Sequence, residues 1–194
     1  QRQRGKVLRT ALDAATTRLD EVSQQDPLTG LTTRAGTEAA LEAAVAGTDR
    51  GGPQTCVLYV GVDRFRALND TFGQAAGDAA LVESASRLAA LMGERAEVGR
   101  IGGGEFVVIA LCDLKQGRHM AERLLCELAR PITFDQRELS VTCSVGIAMY
   151  PQHGSRPRLI HNALTAMRSV RQSGGAGYAE YLTSMDVDQR EQAE

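Results

Sequence analysis

Apolar residues run through this chain in two rhythms. Cys56-Val57-Leu58-Tyr59-Val60-Gly61-Val62 is almost continuously apolar, which predicts a central strand covered on both faces. Val107-Val108-Ile109-Ala110-Leu111 is a second such run. It follows Arg100-Ile101-Gly102-Gly103-Gly104-Glu105-Phe106, whose three consecutive glycines predict a β-hairpin with a bare tip. A tip without side chains lets backbone approach a ligand closely. Ile132-Thr133-Phe134 and the stretch from Leu139 to Met149 predict two further strands, joined by a turn at Asp135-Gln136-Arg137-Glu138.

The helical rhythm appears five times. Leu8, Leu12, Ala15, Leu19 and Val22 follow one another at spacings of 4, 3, 4 and 3, which predicts a helix over 5–23 with a short heptad seam. That seam fits a helix packed on its own domain, or the tail of a longer coiled coil carrying a signal from an upstream module. Further helices are predicted from Arg34 to Ala46, from Gly77-Asp78 onward with Leu81, Ser84, Ala85 and Leu88 on one face, from Lys115 to Leu128, and from Arg158 to Ser173, closed by Gly174-Gly175. Turns or loops are predicted at Asp26-Pro27-Leu28-Thr29-Gly30-Leu31, at Gly47 to Pro53, at Asn69-Asp70-Thr71-Phe72-Gly73 and at Pro151 to Pro157. Residues 183–194 read as a polar, frayed extension. The order αα-β-α-ββ-α-ββ-α predicts an α/β (α+β) domain with one central mixed sheet surrounded by helices.

Composition narrows the function classes. The chain has 194 residues and a formal net charge of -2, so it lacks the basic footprint of a nucleic-acid or anionic-membrane binder. Aromatic residues make up 4% and Trp is absent, which argues against base-stacking platforms. Cys56, Cys112, Cys126 and Cys143 form no C-x-x-C pair and read as core residues in a reducing, cytoplasmic compartment. His119, His153 and His161 are isolated. No apolar stretch has the length of a membrane span, and no signal peptide is visible. A membrane anchor further upstream in a full-length protein stays open.

Polar residues at the carboxyl ends of strands are the ones to watch for function. Asp63, Asn69 and Asp78 hold such positions, although each residue type also serves as an ordinary cap or turn former.

Four motifs together resemble the GGDEF domain of diguanylate cyclases. Asp26 to Leu31 is similar to the family's opening motif. Asn69-Asp70-Thr71-Phe72-Gly73 with Gly77-Asp78 is similar to its N-D-x-[YF]-G-[HQ]-x-x-G-D. Gly102-Gly103-Gly104-Glu105-Phe106 resembles its signature hairpin, and Ser144-Val145-Gly146-Ile147-Ala148 its late strand. The resemblance covers about residues 25–176. It leaves 1–24 as an N-terminal helical arm and 177–194 as a C-terminal extension or linker. It implies a fold like the palm of polymerases and nucleotide cyclases, and a reaction in which two GTP molecules become cyclic di-GMP with Mg²⁺. Metal ions there neutralise phosphates and lower the attacking hydroxyl's pKa. Mg²⁺ requires oxygen ligands, chiefly carboxylates.

This chain departs from the family at both carboxylate positions, which match Gly61 and Gly104. The Val62 backbone carbonyl remains as a ligand. Asp63 and Glu105 are the neighbouring carboxylates that a rearranged catalytic metal would use. The resemblance assigns guanine recognition to Asn69 and Asp78, and phosphate contacts to Arg66 and Arg171, with Phe65 beside them. Gln74 stands for a usual His, Leu164 and Arg168 for an Asp and a Tyr, and Gly175 for an Arg. The inhibitory product site of the family falls on Gly93 and Ala96 and is absent, and Arg95 and Arg100 nearby read as solvated charges. Tyr178 through Met185 resembles the connector to an EAL phosphodiesterase domain.

These departures imply a catalytically inactive domain without bound Mg²⁺. It would bind GTP and act as a regulatory or dimerising module, self-associating through its N-terminal helix or a domain face and tuning a neighbouring domain. An active cyclase with rearranged ligands is the first alternative. A nucleotide-free protein-interaction module, favoured by a cleft blocked with Arg64, Phe65 or Arg66, is the second. The resemblance also implies a rescue: Gly61→Asp with Gly104→Asp or Glu restores turnover if the rest of the site is intact.

Overall fold

The structure is a computed structural model, and it describes residues 24–186. The predicted helix over 5–23 and the end of the predicted extension lie outside the described residues.

The apolar run forms β1 (Thr55–Val62), in which every residue is buried. β1 lies between β3 (Glu105–Leu111) and β6 (Cys143–Tyr150), antiparallel to both. The five-stranded sheet has the order β2-β3-β1-β6-β7, with β2 at Ala96–Gly102 and β7 at Tyr178–Glu180. β7 pairs in parallel with β6, which makes the sheet mixed. The burial of β1 on both faces follows from two helical layers. α3 (Gln74–Met92) and α4 (Leu114–Leu128) cover the face of Leu58 and Val60. α1 (Arg34–Asp49) and α5 (Arg156–Gln172) cover the face of Val57 and Tyr59. Between β1 and α3 runs the short α2 (Phe65–Phe72).

Local chemistry explains several element boundaries. Asp113 opens α4 with a reciprocal capping box, its carboxylate accepting from the Gln116 amide while Gln116 accepts from the Asp113 amide. The signature hairpin turns at Gly103-Gly104, with Gly102 opposite Glu105. Gly103 has φ 49°, a value that suits glycine.

Five sequence expectations change. Asn69 to Phe72 form the last turn of helix α2 and are not a loop; the chain first breaks at Gly73. The following helix begins at Gln74, before Gly77-Asp78. The stretch from Leu139 to Met149 is not one strand: Arg137–Leu139 is β5, paired with β4 (Ile132–Phe134) in a separate hairpin, and the chain joins the main sheet only at Cys143. The turn between β4 and β5 is only Asp135-Gln136, both at positive φ, as two-residue hairpins require. Past residue 176, β7 closes the sheet edge and Tyr181 is buried, its amide donating to the Ile147 carbonyl at 2.8 Å. Among the described residues, no helix is long and apolar enough to cross a membrane.

Arg100 also differs from its reading as a solvated charge. Its side chain is 15% exposed and donates to both Asp26 carboxylate oxygens at 3.1 Å. It also donates to the Gly103 carbonyl at 3.2 and 3.1 Å, bracing the hairpin tip. Burial pushes the Asp26 carboxyl upward, but hydrogen bonds from Thr29 and the Arg100 charge outweigh it and hold the group below its ordinary value. A depressed carboxyl stabilises the fold above its unfolded pKa, and that stability is lost as pH falls through the lower folded value. Arg100→Ala is therefore expected to cost about 1.5–3 kcal/mol at neutral pH in urea unfolding, in the range for hydrogen bonds to charged groups. The loss should shrink in acid below about pH 4 as Asp26 protonates.

Candidate functional site

β1, the hairpin tip, α2 and the end of α5 meet at one cleft of about 510 Å³. Its lining includes Val62, Phe65, Arg66, Glu105 and Arg171 together with Gly102, Gly103 and Gly104. Arg64, at φ 52°, also reaches it. Asn69, Asp78 and Asp63 are not among the lining residues.

Register explains why Gly61 matters. Gly61 pairs with Glu105 on one side and with Ser144 on the other. Side chains alternate along β1, so position 61 shares the face of Val57 and Tyr59, under α5. A Cβ built on Gly61 would collide with the Arg171 guanidinium and stand 3.1 Å from the Met167 sulfur. The space beside Gly61 is thus occupied by an arginine head. Arg171 Nη2 donates to the Val62 carbonyl at 3.1 Å. Its Nη1 lies 3.6 Å from Glu105 Oε1, and its Nε lies 3.7 Å from Asp63 Oδ1.

The space beside Gly104 is filled too. A Cβ on Gly104 would stand 2.9 Å from Phe65 Cγ and 3.0 Å from Phe65 Cβ.

Both remaining carboxylates are engaged. Asp63 accepts from the Thr142 and Ser144 hydroxyls at 2.7 Å each and from the Ala176 amide at 3.0 Å. Glu105 accepts from the Tyr59 hydroxyl at 2.5 Å. Burial, and then this bond to Glu105, raise the Tyr59 pKa well above the phenolic range, so the hydroxyl stays a donor. Gly175 stands against Asp63: a Cβ there would be 2.8 Å from Oδ2. The residues present do not fit a Mg²⁺ ion, because the Arg171 guanidinium already faces the Val62 carbonyl and the Glu105 and Asp63 carboxylates.

Asn69 packs across the α2–α3 junction onto Gly77, where a built Cβ would lie 2.8 Å from Asn69 Cγ. Asn69 Oδ1 is buried without a hydrogen-bond partner. Asp78 is the fifth residue of α3, half-buried. At the other end of β2, Gly93 falls in a short 3₁₀ turn and Ala96 opens the strand. Arg95 is exposed there and lines a second cleft of about 530 Å³ with Lys115, His119 and Arg123.

The sequence alone missed Tyr59, Thr142 and Ser144 as supports for Glu105 and Asp63. Tyr59 had a signal, since alternation puts it on the face of position 61. Thr142 had none, because it lies at the point where the chain changes sheets.

The chain matches the family described as "Diguanylate cyclase, GGDEF domain" over residues 23–176. It belongs to the GGDEF family. It is 33% identical over 191 residues to the bifunctional diguanylate cyclase/cyclic di-GMP phosphodiesterase MucR of Pseudomonas aeruginosa, covering 97% of this chain and 28% of that protein. It is 30% identical over 175 residues to the cyclic di-GMP phosphodiesterase NbdA of the same species, covering 88% of this chain and 22% of NbdA. The chain therefore spans less than a third of either relative. Among solved structures, the GGDEF domain of PA1120 (TpbB or YfiN) from P. aeruginosa superposes with TM-score 0.82 at 30% identity, covering 86% of this chain and 99% of that one. This GGDEF domain thus has the cyclase-palm fold of its relatives.

Proposed function

We propose that this GGDEF domain is a catalytically silent module of a cyclic di-GMP signalling protein, which binds GTP and regulates a neighbouring domain. One observation carries the reading: the spaces beside Gly61 and Gly104 are filled, by Arg171 and by Phe65. Each lost electrostatic contact to the reacting phosphates costs about 10²- to 10³-fold in rate, and the two together leave negligible turnover.

Guanine recognition falls to Asn69 and Asp78 in this reading. An amide and a carboxylate can satisfy the donor and acceptor pattern of the guanine edge. The buried, unpaired Asn69 Oδ1 supplies an acceptor that a ligand would use. Arg66 and Arg171 meet the phosphates, with Phe65 beside them. The neighbour is a phosphodiesterase domain of the EAL type, a reading supported by the phosphodiesterase names of MucR and NbdA.

The rearranged-ligand cyclase is disfavoured by the Arg171 guanidinium, which faces Glu105 at 3.6 Å and Asp63 at 3.7 Å and would repel a metal there. The nucleotide-free module is disfavoured because Arg64, Phe65 and Arg66 line the cleft without closing it. Calorimetric titration checks the reading. GTP should bind and ATP should not, and Asp78→Ala should weaken GTP about tenfold or more, as expected when a charged hydrogen-bond partner of the base is lost. Equal binding of GTP and ATP would remove Asn69 and Asp78 from the site.

A further inference from the structure

Arg171 lies where a metal ion would be expected, and its surroundings are those of a bound cation. Three oxygens of different origin converge on one guanidinium: the Val62 carbonyl, a Glu105 carboxylate oxygen and an Asp63 carboxylate oxygen. A guanidinium keeps its charge at every physiological pH, so protonation changes cannot clear the position for a metal.

The cleft's charge agrees. Its lining carries the cations Arg64, Arg66 and Arg171 against the single anion Glu105. A concave surface lined mainly by one sign of charge concentrates ions of the opposite sign, so this cleft favours a free polyanion and opposes Mg²⁺. Arg171 Nε adds a specific feature, since it is buried and makes no hydrogen bond, Asp63 Oδ1 at 3.7 Å being an ion-pair partner beyond hydrogen-bond distance. A buried charged donor left unpaired is costly, and a phosphate oxygen would satisfy it. The arginine fork suits phosphate geometry and can hold two oxygens at once.

We infer that Arg171 is a built-in counter-cation that replaces the divalent metal, so that the cleft takes the triphosphate of GTP free of Mg²⁺. The inference deepens the nucleotide-binding reading and rests on it. The guanidinium keeps its hold on the Val62 carbonyl and turns its remaining donors toward phosphate oxygens. Mg²⁺ bound to the nucleotide would mask those oxygens and bring a second cation against Arg171.

The test is titration of GTP into the purified domain, once in EDTA and once in excess Mg²⁺, for the wild type, Arg171→Met and Arg171→Lys. The wild type should bind GTP at least as tightly in EDTA as in Mg²⁺. Arg171→Met should weaken binding in EDTA about ten- to a hundredfold, the range for a charge-assisted hydrogen bond. Arg171→Lys keeps the charge but loses the fork, so it should lose less, and this separates a lost cation from a lost fold. Thermal melting of each variant checks the fold directly. GTP binding seen only with Mg²⁺ would overturn the inference and leave the nucleotide reading standing. Unchanged affinity in folded Arg171→Met would also overturn it. An absence of binding in both conditions would sink the nucleotide reading itself, and the inference with it.

Discussion

The double substitution Gly61→Asp, Gly104→Asp is expected to yield no cyclic di-GMP, although it restores both carboxylate residue types. Each new side chain enters occupied space. At position 61 the obstacle is the far end of a flexible arginine, which can swing aside. It would then pair with the new carboxylate, which neutralises the charge intended for a metal. At position 104 the obstacle is Cβ and Cγ of Phe65, close to the α2 backbone. Making room there requires the start of α2 to shift, an overpacking cost of about 1–3 kcal/mol. Urea unfolding should locate most of the lost stability in Gly104→Asp, and chromatography should detect no product from the double variant. Mg²⁺-dependent product would mean that residue identity alone silences the site and that the filled spaces yield easily. The resemblance implies a rescue only if the rest of the site is intact, and Arg171 and Phe65 are what stand in its way.

The largest expected loss of stability comes from a single methyl group. Gly146 lies in the middle of β6, on the face covered by α5. A Cβ there would run into the Ala163 carbonyl and the Met167 amide, with the Ala163 carbonyl carbon at 3.0 Å. These are backbone atoms of a well-formed helix and cannot rotate away. Gly146→Ala must push α5 off the sheet, separating Leu159, Ala163, Ala166 and Met167 from Val57 and Tyr59. The expected cost is about 3 kcal/mol or more, at the upper end for overpacking, and it should appear as a fall in both thermal midpoint and urea midpoint. Arg171 is carried by the same helix, so residual folded protein should also bind GTP more weakly. A Gly146→Ala protein with wild-type stability would mean that α5 lies further from the sheet. The glycine of the late-strand motif is therefore explained by the close approach of α5.

Much of this architecture was legible because its determinants are local. An eight-residue strand buried throughout can hardly be other than central, and three glycines between β-prone runs can hardly avoid a turn. The errors arose where tertiary contacts overrode local preference. Asn69, Asp70 and Thr71 are weak helix formers, yet α2 continues through them because Asn69 is needed against Gly77 across the junction with α3. Residues 139–149 read as one strand because nothing in Ser140-Val141-Thr142 marks a change of sheet. β7 is only three residues long, too short for a periodicity.

The site was half legible. Gly61 and Gly104 stood out as losses against the family motif, but what fills their places did not. Arg171 reaches position 61 from the far end of α5, a contact set by the sheet register and helix packing. Phe65 reaches Gly104 through the left-handed turn at Arg64. Both contacts link residues distant in sequence, so no pattern along the chain announces them.

The central claim, a GGDEF site silenced because an arginine and a phenylalanine fill the metal-carboxylate spaces, has one direct measurement. Purified domain is incubated with GTP and excess Mg²⁺, and the products are separated by chromatography. GTP should be recovered intact, with no cyclic di-GMP accumulating at any protein concentration. Cyclic di-GMP rising in proportion to protein, and abolished by Glu105→Gln, would contradict it and make this domain a cyclase with rearranged ligands.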